Sequence, residues 1–143
     1  MSTRVLGVDP GLTRCGVGVI EVGLSRKVSL VQVDTYKTDA SMELAQRIGE
    51  IGNQIELLIL KTKPEAIAIE RVFSQQNLRS VMGVAQISGV VMMLAHKYQI
   101  PVYLHTPSEV KAAVTGSGRA NKQQVGIMVA RILGLAEIPK PAD

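Results

Sequence analysis

Residues 5–11 read VLGVDPG, a short apolar run that ends in an acid and is stopped by a proline–glycine pair. A second β-type run occupies Cys15–Val22, so the simplest interpretation of the two runs is a hairpin. The next segment, Val28–Thr35, alternates like an edge strand, with one side formed by Val28, Leu30, Gln32 and Asp34. The chain therefore begins with three predicted strands.

The following segment predicts a crossover to a parallel strand. Between Ser41 and Thr62 the apolar residues recur at helical spacing, at Leu44, Ile48, Ile51, Ile55 and Leu58. Pro64 ends this helix, and a fully apolar strand from Ala66 to Ile69 closes on Glu70. A strand, a helix and a return strand imply a right-handed crossover to a parallel neighbour.

Two acids stand where apolar strands end, Asp9 after the first strand and Glu70 after the fourth. If these strands are neighbours, both carboxylates lie at the same edge of the sheet and repel each other unless a cation neutralises them. Hard oxygen ligands of this kind suit Mg²⁺. The alternative is that each acid is only a strand-end residue facing water.

The second half of the chain predicts three more helices and a strand. A helix over Leu78–His96 is apolar on every side, so one face reaches the core and the other meets a second copy of the chain. This predicts a homodimer formed through Leu78 to Leu94. Pro101 to Leu104 is a fifth strand. Capping boxes then start two helices, one at Thr106, Pro107 and Glu109, the other at Asn121 and Gln124 after a glycine-rich loop.

Length and composition exclude several protein classes. The 143 residues match one domain, and 46% hydrophobic with 20% charged residues exclude disorder and fibrous repeats. The longest apolar stretch, Ile87–Ala95, is too short for a bilayer, and Asp9 interrupts any signal peptide, which favours a cytoplasmic protein without a membrane segment. The single cysteine, Cys15, excludes a disulfide and a cysteine-rich zinc site.

Charge is unevenly distributed along the chain. The formal net charge is +4, but residues 71–131 hold seven lysines and arginines and one acid, Glu109. Such a segment favours a polyanionic partner, although a solvated helix face gives the same pattern.

Several short motifs together resemble one family. They are GVDPG at 7–11 with Gly16, AIERVF at 68–73, TPSEVK at 106–111, GSG at 116–118, Lys122, and PAD at 141–143. In this order, over nearly the whole chain, they are similar to the RuvC-type Holliday junction resolvases. The resemblance implies an α/β, ribonuclease H-like fold with about five strands in a mixed sheet and helices on both faces. It also implies a homodimer that nicks four-way DNA junctions in pairs, dependent on Mg²⁺, in recombination and repair, with branch-migration proteins as candidate partners.

The resemblance also assigns metal ligands. The family's site has four carboxylates, of which Asp9, Glu70 and Asp143 match three, and it implies two Mg²⁺ ions per site with Mn²⁺ as a substitute. The fourth carboxylate belongs about one helical turn after Asp143, where this sequence has ended. Residues 1–143 are therefore expected to form one nuclease domain that lacks its final helix.

The remaining predicted site residues would contact DNA. The resemblance places Lys111 and Lys122 near the cleaved phosphate, with Lys122 also counted as catalytic; both could instead be solvated helix charges. Lys122 lies in the first turn of a capped helix, a position that favours phosphate. Phe73, the only phenylalanine, follows Glu70 in a polar stretch and is predicted to stack on an unpaired base rather than to cover the core. Arg79 and Arg119 are candidate backbone contacts.

Two rival functions stay open, and the length of the chain argues against a third. A smaller ribonuclease H-like relative of RuvC that acts on RNA would share the early acid. A module that binds junctions without cutting them would result from the absent carboxylate. A phosphate-binding ATPase lobe needs a second lobe to enclose its nucleotide, for which this length leaves no room.

Overall fold

The computed structural model describes residues 2–71 and 78–139 of the chain. Within these ranges five strands and four helices follow one another in the predicted order. They are β1 Thr3–Asp9, β2 Arg14–Val22, β3 Val28–Lys37, α1 Leu44–Thr62, β4 Ala66–Glu70, α2 Leu78–Lys97, β5 Val102–His105, α3 Pro107–Thr115 and α4 Lys122–Leu133.

The strands form one mixed sheet in the order β3-β2-β1-β4-β5. β2 is antiparallel to both β1 and β3, whereas β4 is parallel to β1 and to β5. The predicted hairpin, the edge position of β3 and the parallel crossover through α1 are therefore confirmed. In the central pair Val8 lies opposite Ile69, which brings the carboxyl ends of β1 and β4 level with each other.

One face of the sheet carries the hydrophobic core. Side chains alternate between the two faces of a strand, and on this face Leu6 and Val8 of β1 and Ile67 and Ile69 of β4 are buried. α1 and α2 cover it with the buried residues Ile51, Ile55, Leu58, Ile59, Ile87, Val91, Leu94 and Ala95. The two helices approach closely at Gly52, where an added Cβ would lie 3.0 Å from Cγ1 of Val90.

A bulge in β3 overturns the strict alternation predicted for that strand. Leu30 pairs with Ile20 and Gln32 pairs with Val19, so Val31 has no partner on β2. Because one residue is inserted, Leu30 and Gln32 lie on opposite faces of the sheet instead of on one side. Gln32 faces α1, where its Oε1 accepts a hydrogen bond from Lys61 Nζ at 3.2 Å.

The start of α1 differs from the prediction by three residues. The carboxylate of Asp39 accepts hydrogen bonds from both the backbone N–H and the hydroxyl of Ser41, each at 2.8 Å. These bonds hold residues 39–41 in a turn, so the helix begins only at Leu44.

α2 is long and apolar enough to cross a membrane when judged by length and composition alone. A core helix passes the same test, and α2 buries Ile87, Val91 and Leu94 against the sheet and α1. We therefore assign it to the core of the domain.

α3 and α4 both begin with the predicted capping boxes. Thr106 and Glu109 exchange side-chain-to-backbone hydrogen bonds at 3.1 Å, and Asn121 and Gln124 do so at 2.8 Å. The two helices pack against each other, and α4 also contacts β3. Neither contributes to the main core cluster.

The loop after Asp9 leaves no space for a side chain at Gly11. A Cβ there would clash with the carbonyl oxygen of Arg14, a backbone atom that cannot rotate away. We expect Gly11→Ala to destabilise the fold by about 1–3 kcal/mol, the usual cost of overpacking. Urea unfolding followed by circular dichroism measures this change.

Gly49→Ala is the matched control because a Cβ at Gly49 meets nothing within 4 Å on an exposed turn of α1. It should leave stability unchanged or raise it by about 0.5–1 kcal/mol through helix propensity. Equal unfolding midpoints for the two alanine variants would show that the loop has room at Gly11.

Candidate active site

The two strand-end acids lie side by side. Val8 and Ile69 are register partners in the parallel pair, and Asp9 and Glu70 are the next residues along each strand. Because Val8 and Ile69 both point into the core, strand alternation turns both carboxylates toward the opposite face. Asp9 is exposed and Glu70 is half-buried. The predicted convergence of these acids is thus present in the structure.

Each carboxylate affects the other electrostatically. Burial raises the pKa of Glu70, and the negative charge of Asp9 raises it further, whereas the nearby Lys111 lowers it. A cation bound next to Glu70 would favour its ionised form.

The donor set fits a hard divalent cation. Mg²⁺ is commonly held by one or two carboxylates and completes its shell with water and phosphate oxygens. Burial raises the pKa of the Cys15 thiol to about 11; a backbone hydrogen bond at Gly11 opposes this rise, and the charge of Asp9 adds a smaller increase. In ranges 2–71 and 78–139 no group of three His, Cys, Asp or Glu side chains is close enough to hold a metal.

The end of β4 is fixed by a contact that sequence reasoning missed. The backbone N–H of Arg71 donates to the carbonyl oxygen of His105 at 2.6 Å, which extends the pairing with β5 one residue past Glu70. His105 in turn lies 3.9 Å from the carboxylate of Glu109, which caps α3. Glu70 is therefore held between two paired strands, and α3 starts directly beside it.

The predicted basic residues fall into three places. Lys111 lies on α3, half-buried and close enough to act on the charge of Glu70. Arg119 and Lys122 are exposed at the turn between α3 and α4, where Arg119 lines a cavity of about 500 Å³. Arg79 is exposed in the first turn of α2, on a separate groove of about 890 Å³. The structure thus brings Lys111 close to Glu70, and the DNA roles of all four basic residues stay predictions.

Two predicted site residues, Phe73 and Asp143, lie outside the described residues. Their roles as a stacking aromatic and a third carboxylate stay predictions. Sequence reasoning overlooked Arg14 and Arg47, which line the same groove as Arg79. Both residues lie outside the basic segment at 71–131, and no short motif marks Arg47.

Comparison with known proteins shows the family. The family model described as "Crossover junction endodeoxyribonuclease RuvC" matches residues 5–143. A protein of that name from Leifsonia xyli subsp. xyli is 58% identical over 143 residues, which cover 100% of this chain and 69% of the relative.

Solved structures agree with the fold. Thermus thermophilus RuvC, in a complex with Holliday junction substrate, superposes with a TM-score of 0.90 at 34% identity, covering 97% of this chain and 84% of that one. The yeast mitochondrial Holliday junction resolvase Ydc2 gives a TM-score of 0.62 at 15% identity, over 92% of this chain and 64% of that one, and so supports the fold alone.

The ribonuclease H-like, five-stranded fold predicted from the motifs is therefore confirmed. With its acids paired at the ends of β1 and β4 and the family match spanning residues 5–143, this chain belongs to the RuvC family of crossover junction endodeoxyribonucleases.

Proposed function

We propose that the protein is a structure-selective DNA endonuclease that resolves Holliday junctions by paired, Mg²⁺-dependent hydrolysis in recombination and repair. The observation that carries this proposal is the placement of Asp9 beside Glu70 at the ends of β1 and β4, in a chain of this family. The related Thermus structure holds a Holliday junction substrate, which supports the same substrate here.

The proposed roles of the residues follow from their charges. Asp9 and Glu70 would hold the cation, and Lys111 on α3 would offer a positive charge to the phosphate next to Glu70. When bound, divalent metal supplies a nucleophilic water at neutral pH and polarises the phosphate. Mn²⁺ would substitute for Mg²⁺, and Lys122, Arg79 and Arg119 would hold the DNA backbone.

The proposal extends to residues outside the described ranges. Phe73 would stack on a base at the crossover, and Asp143 would complete the carboxylate set with a further acid one turn on. Residues 1–143 would then be one nuclease domain completed by a further helix. We also propose a cytoplasmic location and branch-migration proteins as partners.

A cleavage panel separates this function from its rivals. A four-way junction, a linear duplex and a single-stranded RNA are each incubated with the protein and Mg²⁺. Symmetric nicks in the junction alone support the proposal. Cleavage of the RNA instead favours the RNA-acting relative, and junction binding without nicks favours a non-catalytic module.

Removing either charge of the pair should abolish cleavage. We expect Asp9→Asn and Glu70→Gln to cut junctions at least about a hundredfold more slowly, because metal-assisted activation is lost. Junction binding should stay equal or become tighter, since a negative charge facing phosphates is removed. Gel-based nicking rates and binding isotherms in chelator measure the two effects.

Glu65→Gln is the matched control, since Glu65 is exposed and immediately precedes β4, whose other end is Glu70. It should cleave at the unaltered rate. An active Asp9→Asn protein would contradict the metal-site proposal.

The raised pKa of Glu70 predicts a pH-dependent cost to folding without metal. As pH rises above the ordinary carboxyl value of 4.5, the unfolded chain releases this proton before the folded chain does, so stability falls until the folded pKa is passed. Glu70→Gln should therefore be more stable than the unaltered protein near pH 7 but not near pH 4. Urea midpoints in chelator measure the difference.

Saturating Mg²⁺ should reverse this order near pH 7, because the cation stabilises only the form that binds it. A midpoint difference that is the same at both pH values would show that Glu70 bears no such cost. Glu65→Gln again serves as the control.

α2 also supports the proposed homodimer. Its outward side carries one exposed stripe at helical spacing, which consists of Leu78, Met82, Ala85, Gly89, Met92 and Met93. The small residues at its centre permit close approach, and a Cβ at Gly89 would meet nothing within 4 Å. A stripe of this kind pairs with itself across a two-fold axis.

A charge on this stripe should separate the two copies. We expect Met93→Glu, at a side chain that is 54% exposed, to sediment as a monomer and to lose paired nicking. Leu57→Glu is the matched control, because Leu57 is 66% exposed on α1, away from the stripe. If Met93→Glu sediments like the unaltered dimer, the stripe is not the interface.

A further inference from the structure

A basic groove borders the loop that follows Asp9. It lies between the loop at residues 11–14, the start of α1 and the first turns of α2, and it has a volume of about 890 Å³. Three arginines line it, Arg14, Arg47 and Arg79, and none of its lining residues is acidic. Its volume falls within the range of small-molecule sites and so suits a ligand of nucleotide size.

Arg47 is held in a defined orientation. Its Nε donates to the hydroxyl of Thr38 and its Nη2 to the hydroxyl of Thr13, both at 2.9 Å. Thr38 is itself buried and donates to the carbonyl oxygen of Leu12 at 2.6 Å. Two rigid attachments therefore fix the plane of this guanidinium against the loop that follows Asp9.

These attachments orient Arg47 without neutralising it. Both acceptors are uncharged hydroxyls. Asp39 interacts with Arg47 electrostatically, but in the part of the chain that the structure describes no carboxylate forms an ion pair with Arg47. The planar fork of the guanidinium matches phosphate oxygens.

The groove is close to the place where the proposed chemistry occurs. Its first lining residue, Gly11, is two residues after Asp9, a chain length of at most about 7 Å. Leu12 and Met42 add apolar surface to it, which suits a sugar beside a phosphate. An anion held here would therefore belong to the same DNA strand as the cleaved phosphate or to its close neighbour.

We propose that this groove binds a backbone phosphate of the DNA substrate near the cleaved one, with Arg47 as the main contact and Arg14 as its neighbour. The proposal rests on the proposed function, because it assumes a DNA substrate at Asp9 and Glu70. It assigns to Arg47 a role in binding, in addition to its structural role in holding the loop.

Salt dependence of junction binding tests the proposal. Each phosphate contact that is lost should lower the slope of log K against log salt by about 1. We expect Arg47→Gln to lower the slope by that amount and to weaken binding about tenfold at low salt. Arg47→Lys should keep the slope, because it keeps the charge. Binding is measured in chelator, so that cleavage does not interfere.

Arg14→Gln and Lys27→Gln complete the set. Arg14→Gln leaves both bonds of Arg47 to the threonines intact, so its smaller slope tests the groove even if Arg47→Gln fails to fold. Lys27→Gln removes the same charge from the exposed turn between β2 and β3, at the opposite end of the sheet from Asp9. It should keep both the slope and the affinity.

Two outcomes would overturn the proposal. An unaltered slope for folded Arg47→Gln and Arg14→Gln, with only a lower unfolding midpoint, would mean that Arg47 only holds the loop. An unaltered slope with loss of the dimer on sedimentation would mean that a second copy fills the groove. In both cases the unaltered protein would still bind and nick junctions, whereas failure of the proposed function would remove that activity from the unaltered protein as well.

Discussion

The parallel pairing of β1 with β4 is the constraint on which the rest of the structure depends. Parallel neighbours cannot be joined by a tight turn, so the chain needs α1 to return, and α1 supplies half of the cover for the core. The same pairing brings two strand ends level, and alternation turns the residues after Val8 and Ile69 away from the core. The pairing of β1 with β4 therefore determines both the fold and the position of the two acids.

Charged residues of both signs lie near the ends of β1 and β4. The two acids lie together at the ends of β1 and β4, where burial and the charge of Asp9 raise the pKa of Glu70. Lys111 acts on the charge of Glu70, and the arginine-lined groove borders the loop that follows Asp9. Lys111 and the arginines would attract a polyanion, whereas Asp9 and Glu70 would repel it unless a cation is bound to them.

What the sequence predicted depended on local patterns. Asp9 and Glu70 end apolar runs, and the capping boxes at Thr106 and Asn121 are set by residues three apart, so both features were found. The bulge at Val31 depends on the pairing of β3 with β2. The orientation of Arg47 depends on Thr38 and Thr13, which lie 9 and 34 residues earlier in the chain. Such tertiary contacts leave no short sequence pattern, so the bulge in β3 and the orientation of Arg47 were not predicted.

α3 and α4 pack against each other outside the main core cluster, so their local free energy of unfolding is expected to be lower than that of the sheet. α3 buries no residue fully and α4 buries only Ala130, so little apolar area would be exposed if the pair detached from the sheet. Their backbone amides should then exchange with solvent deuterium through a partial opening of lower free energy than global unfolding. Lys111 and Lys122 are carried by these helices, whereas Asp9 and Glu70 end two central strands of the sheet, so such an opening would move the lysines relative to the acids.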